Sequence, residues 1–296
     1  MFRFIVALAA LTPGQPDKPA THEDANPLYR ELRSPGLLID KDIRAELPPP
    51  TVPDGLMPAE QTAAIKKLIG NTYSLEDFTR KSVVAPYTLR LRDIKTSDPK
   101  VPARGVDISF IAYGDFDGTD TERFIDLIAT AAKESGRATG KALTGDDLAK
   151  RKFTPAADGT VEKYAAVTFD FLGKVRLRGT SRAVVTRTAE SVVGAAVIDS
   201  RFAGDTEFPN EWQPVAKSSS GAKSGSAQTY DGAGFYLKVT RLAEPAGAMF
   251  VEVHIVFNEP AAWFEGANLL RSKFPFLVQE TARAMRRELN KGEGGK

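Results

Sequence analysis

The chain has 296 residues, 42% of them hydrophobic and 26% charged, with 40 Lys and Arg against 38 Asp and Glu. This is enough apolar material for one large folded domain, and a net charge of +2 is too small to draw a nucleic acid by bulk attraction. There is no cysteine and there are only two histidines, His22 and His254, so disulfides, thiolate chemistry and multi-histidine metal sites are excluded.

The chain opens on Met1-Phe2-Arg3, followed by an apolar run from Phe4 to Leu11 in which Ala7-Leu8-Ala9 has the small-x-small form of a cleavage site. Residues 1–20 therefore read as a short signal peptide, and the protein as exported, periplasmic or extracellular. The run is too short to cross a bilayer, which takes ~20 apolar residues, and no other stretch reaches that length. Residues 21–57 are proline-rich and include Pro48-Pro49-Pro50. Proline fixes φ and lacks a backbone donor, so this stretch predicts an extended lead, anchored by Leu37-Leu38-Ile39, and neither helix nor central strand.

A helix is expected over 58–69, with Pro58 in its first turn and Gly70-Asn71 as its stop. A further short turn follows at 74–78. Strands are predicted over 87–94 and 106–113, where apolar and polar residues alternate, with turn chemistry at Ser97-Asp98-Pro99-Lys100. Thr119 and Glu122 form a capping box for a helix over 122–135, and a shorter helix covers 146–152. A strand meander then begins. Val167, Phe169, Phe171, Val175 and Leu177 share odd positions, and Gly173 marks a bulge or bend. Further strands are predicted over 183–188, 192–198, 235–241 and 248–257, with a hairpin turn at Glu244-Pro245-Ala246-Gly247. Residues 217–228 are Ser, Gly, Lys and Ala with no bulky apolar side chain, which predicts a flexible loop. A closing amphipathic helix spans 274–290, with Pro275 in its first turn and Arg283, Arg286 and Arg287 off its apolar face. Residues 291–296 are a polar tail.

This order predicts a single α+β domain over 58–290, in which a curved antiparallel sheet hides its apolar face against the long C-terminal helix. The order is similar to that of the helix-grip fold of START and Bet v 1-like lipid carriers. The resemblance implies an apolar cavity between sheet and helix. Trp212, Phe235, Trp263 and Phe274 are the ligand-binding candidates, though the tryptophans would serve equally well as plugs for the open end of the sheet.

The sharpest local motif is Asp115-Phe116-Asp117-Gly118-Thr119, between a strand and a helix. It resembles the first motif of haloacid-dehalogenase-like phosphatases. That resemblance implies Asp115 as nucleophile, Asp117 as acid and base, and Mg²⁺ on the phosphate. Such enzymes use a parallel sheet, whereas this sequence continues as a meander, so a turn with a helix N-cap is the competing reading. Asp115, Asp117, Asp120 and Glu122 lack the spacing of a calcium loop. His254 has no Gly-x-Ser-x-Gly partner and reads as a partly exposed structural residue. Lys174, Arg176 and Arg178, extended by Arg182 and Arg187, form a basic row that acidic neighbours would balance, without the interleaved aromatics that stack bases.

The sequence therefore points to an exported, non-enzymatic protein that binds a lipid or other apolar small molecule, or a protein partner. It predicts no metal, cofactor, nucleic acid or transmembrane segment. The alternatives are a metal-dependent phosphohydrolase using Asp115 and Asp117, or a structural envelope protein with no ligand.

Overall fold

The computed structural model describes residues 21–40, 43–96, 102–117, 124, 138–153, 161–218, 221–230, 232–260, 263 and 269–290. The signal-peptide reading of residues 1–20, the 97–100 turn, the tail and all but Phe124 of the 122–135 helix lie outside the described residues.

Residues 21–57 fold as α1 (His22–Ala25), α2 (Pro27–Arg33) and a hairpin of β1 (Leu37–Asp40) with β2 (Ile43–Ala45), followed by extended chain. The expectation of a wholly extended lead is corrected here. Thr21 and Asp24 form a capping box, the Asn26 side chain caps Tyr29 N at 2.9 Å, and Pro27 sits at the helix start, where its missing donor costs nothing. Then come α3 (Pro58–Ile69) and α4 (Leu75–Thr79), where expected.

The main sheet takes β3 (Tyr87–Ile94), β4 (Ala103–Tyr113), β5 (Ala138–Ala142) and, after α5 (Gly145–Ala149), β6 (Glu162–Phe171), β7 (Val175–Arg187) and β8 (Ser191–Ile198). Beyond a short 3-10 turn it continues with β9 (Glu211–Ser218), β10 (Gly221–Ser224), β11 (Gln228–Thr229), β12 (Ala233–Arg241) and β13 (Ala248–Asn258). Its order is β10-β9-β7-β8-β12-β13-β4-β3, with β6 and β5 branching from β7 and β11 pairing β9. Every pairing among the described strands is antiparallel.

Two sequence expectations change in this sheet. The odd-phase run through Gly173 is two strands, because Leu172 and Gly173 both take positive φ and turn the chain, so that Phe171 faces Val175 across a hairpin. The supposed loop at 217–228 holds β10 and β11, and the β9 before them was not foreseen, since Pro214 interrupts its pattern.

The chain closes on α6 (Leu269–Asn290), five residues longer at its start than expected, so Pro275 lies inside the helix and not in its first turn. The Tyr87 hydroxyl donates to the Pro275 carbonyl at 2.8 Å. Arg286, expected on the outer side of the helix, is buried at 4% exposure. Its guanidinium donates to the carbonyls of Ile111, Val83, Ala85 and Pro86 at 2.7–3.0 Å and lies over the Phe110 ring. Burial and the neighbouring Arg283 charge lower it to about 10, still charged at neutral pH. At Gly114 the sheet meets the far end of α6 so closely that a Cβ would sit 2.3 Å from the Leu289 carbonyl oxygen.

Candidate functional site

Alternation along β4, β12 and β13 sends Ile108, Phe110, Leu237, Val251, Val253 and Ile255 to the front of the sheet, where Leu277, Val278, Ala282 and Met285 of α6 face them. The two layers do not close completely. Between them lies a cavity of about 410 Å³, large enough to accept a small ligand. Its described lining is almost wholly apolar. The Thr281 hydroxyl donates to Leu277 O at 3.0 Å and the Tyr230 hydroxyl to Asn258 O at 3.1 Å, so both are engaged by main chain.

Of the four residues picked from the sequence, Phe235, Trp263 and Phe274 line this cavity and Trp212 does not. Trp212 is buried behind Trp263, ring centres 6.1 Å apart. Sequence reasoning missed Phe171, the hub of the aromatic end, with Phe257, Trp263 and Phe274 set edge-on at 5.9–6.0 Å. The readable signal was the shared odd phase of Phe169 and Phe171, which marked a buried face but not the void beside it.

Asp115 and Asp117 do not stand in the fold setting that the phosphatase resemblance implies. β4, which leads into Asp115, pairs antiparallel with β13 on one side and β3 on the other, where that resemblance implies a parallel sheet. Asp117 is 77% exposed and pairs with Arg241 and, at 3.9 Å, Arg187. Both guanidiniums lie over the Phe116 ring, at 4.6 and 4.7 Å. Gly118, Thr119, Asp120 and Glu122 lie outside the described residues. Among the described residues no three His, Asp or Glu side chains come together as a metal site. The basic row is balanced: Arg176 pairs with Asp170 at 2.7 Å, Arg178 with Glu211 at 2.8 Å and Arg182 with Glu162 at 3.3 Å.

The back of the sheet is a second interior, where a buried polar row lies beside an apolar cluster that includes Leu28, Leu32, Val193, Val197 and Tyr236. Asp107, Ser109, Lys238, Thr240, Glu252 and His254 stand at the positions that alternation assigns to solvent, yet residues 21–57 cover most of them. Lys238 pairs with Asp54 at 2.7 Å and donates to Val52 O at 2.9 Å. Asp54 accepts from the hydroxyls of Ser191 at 2.6 Å and Thr188 at 2.7 Å. His22 lies 2.8 Å from both Ser191 Oγ and Thr186 Oγ1. Burial holds His22 down at about 4 against the pull of Asp54, so it is neutral at pH 7.

Ser191, His22 and Asp54 are not a charge relay. The carboxylate bonds the serine and not the far imidazole nitrogen, and Ser191 is fully buried.

His254, expected to be partly exposed, is 4% exposed. Burial opposes its charged form, but Asp107 at 2.9 Å and Glu252 at 3.2 Å outweigh burial and raise it. Thr51 N donates to Glu252 at 2.7 Å, which ties the lead to the same cluster.

No protein-family model and no curated protein matches the chain. Among solved structures it is similar to the human StarD13 lipid transfer and protein localization domain, at 8% identity and a TM-score of 0.37, covering 68% of this chain and 89% of that one. It is also similar to an uncharacterised protein from Rhizobium leguminosarum, at 10% identity and a TM-score of 0.28, covering 62% and 96%. A conserved protein from Geobacillus kaustophilus is 8% identical at a TM-score of 0.27, covering 63% and 93%. Likeness at this level says nothing of what the cavity holds. The strand register and the helix placement describe the chain by themselves: an α+β protein whose large antiparallel sheet packs against a long C-terminal helix in a helix-grip-like arrangement.

Proposed function

We propose that this chain is a non-catalytic carrier that takes an apolar small molecule into the space between sheet and helix. The observation that supports this is the cavity of about 410 Å³ walled by the front of the sheet and the inner face of α6. Hydrocarbon walls exclude water cheaply and bind what water rejects, without the paired titratable groups that a reaction would need. The titratable groups Asp54, Lys238, Asp107 and His254 are bonded on the opposite face, away from the cavity.

The test is native mass spectrometry of the purified full chain, with titration by N-phenyl-1-naphthylamine, an uncharged dye that brightens in apolar surroundings. One dye per chain, or a copurified apolar molecule, is expected. No brightening and no bound species would sink the reading.

We also infer export, on the strength of the Phe4 to Leu11 run and the Ala7-Leu8-Ala9 pattern. N-terminal sequencing of the product from a bacterial host checks it, and an uncleaved Met1 overturns it.

A further inference from the structure

We infer that the cavity selects flat, unsaturated ring systems over saturated hydrocarbon of the same size. This inference rests on the reading of the cavity as a ligand site. Aromatic residues make up 9% of the chain, yet eight of the nineteen described residues lining the cavity carry an aromatic ring. Packing alone does not require this, since leucine and isoleucine fill cores as well and leave no special geometry behind. The rings are also mutually ordered. Phe171 meets Phe257 at 86°, Phe274 at 81° and Trp263 at 72°, while Phe257 lies 14° from parallel with Trp263. Such a group offers both electron-rich faces and positive edges. A planar π-system inserted among them gains offset-stacked and edge-to-face contacts that a saturated ring cannot make. A flexible acyl chain gains none of these and also loses more rotational freedom on entry.

The experiment displaces N-phenyl-1-naphthylamine from the full chain with phenanthrene and, separately, with perhydrophenanthrene. The two share one carbon skeleton, and the saturated form is the more water-averse, so hydrophobicity alone ranks it first. Phenanthrene is expected to displace the dye at about one tenth of the concentration or less, the gain that two or three ring contacts supply. Octadecanol should be weaker than phenanthrene. Phe235→Leu and Phe274→Leu should each shrink the preference for phenanthrene over perhydrophenanthrene several-fold, because leucine keeps an apolar surface and removes the ring. Equal or tighter binding of the saturated skeleton, or of octadecanol, overturns the inference and leaves the carrier reading intact. Failure of the dye itself to bind overturns both.

Discussion

Ile108, Leu237 and Val253 on the front of the sheet and Asp107, Lys238 and Glu252 on its back sit on the same three strands, each front residue next in sequence to a back one, and both sets are largely out of water. Around the cavity the front meets α6 through apolar contacts that have no direction, and the directed bonds are those from Tyr87 to the helix and from Arg286 of the helix to main chain. The back meets residues 21–57 through an apolar cluster around Leu28, Leu32 and Tyr236 and also through hydrogen bonds and ion pairs, which hold only at fixed distances and dock that layer in one register. On the proposed reading, one face holds a guest and the other holds the chain itself.

Changes aimed at one face should leave the other's behaviour intact. The largest effect is expected from Lys238→Met, which removes the charge partner of Asp54 and a bond to Val52. Breaking a buried pair costs about 3–5 kcal/mol, and urea unfolding should show it while dye affinity in the front cavity is kept. A loss below ~1 kcal/mol would mean that the lead is held by apolar packing alone.

Acid comes next. The folded value of about 4 for His22 lies below its unfolded 6.5, so the unfolded chain binds the extra proton between those limits. Stability should therefore fall as pH drops from 6.5 through about 4, by on the order of 3 kcal/mol, and His22→Gln should flatten that limb. His254 works in the other direction. Its raised value makes its contribution complete below 6.5 and lost as pH climbs through the folded value, a limb that His254→Gln should remove.

Gly114→Ala is smaller, about 1–3 kcal/mol by overpacking against the Leu289 main chain, read as a lower thermal midpoint. Smallest in stability is Val253→Phe, which grows into the cavity. It should stay within about 1 kcal/mol of the parent, as cavity-filling changes do, yet abolish dye binding. Undiminished binding would place the dye elsewhere.

The front half of this picture was legible in the sequence. The alternation of β4, β12 and β13 and the apolar stripe of Leu277, Val278, Ala282 and Met285 together predict a sheet with a helix on it, and Phe235, Trp263 and Phe274 fall on the cavity wall. The back half was not. Period two says that Lys238, Glu252 and His254 share a face, but it cannot say whether water or another segment covers that face. The cover comes from about 200 residues away, as in the bond from Thr51 to Glu252. One clue was available. Ser191–Ile198 is apolar nearly throughout, the mark of a strand covered on both sides. Prolines in the lead argued against helix by their number, whereas what counts is where each one stands relative to a helix start.

The four carbonyl bonds of Arg286 make the attachment of α6 uneven. Its second half is moored to the chain around Val83–Pro86 and to β4, while its first half passes Pro275, whose nitrogen offers no hydrogen to the turn before it. Amide protons should therefore exchange with solvent faster in 269–274 than in 280–289. The cavity would then breathe from the end where Phe274 and Trp263 stand, so the rate at which a guest departs is set by a few residues of fraying and not by unfolding of the grip.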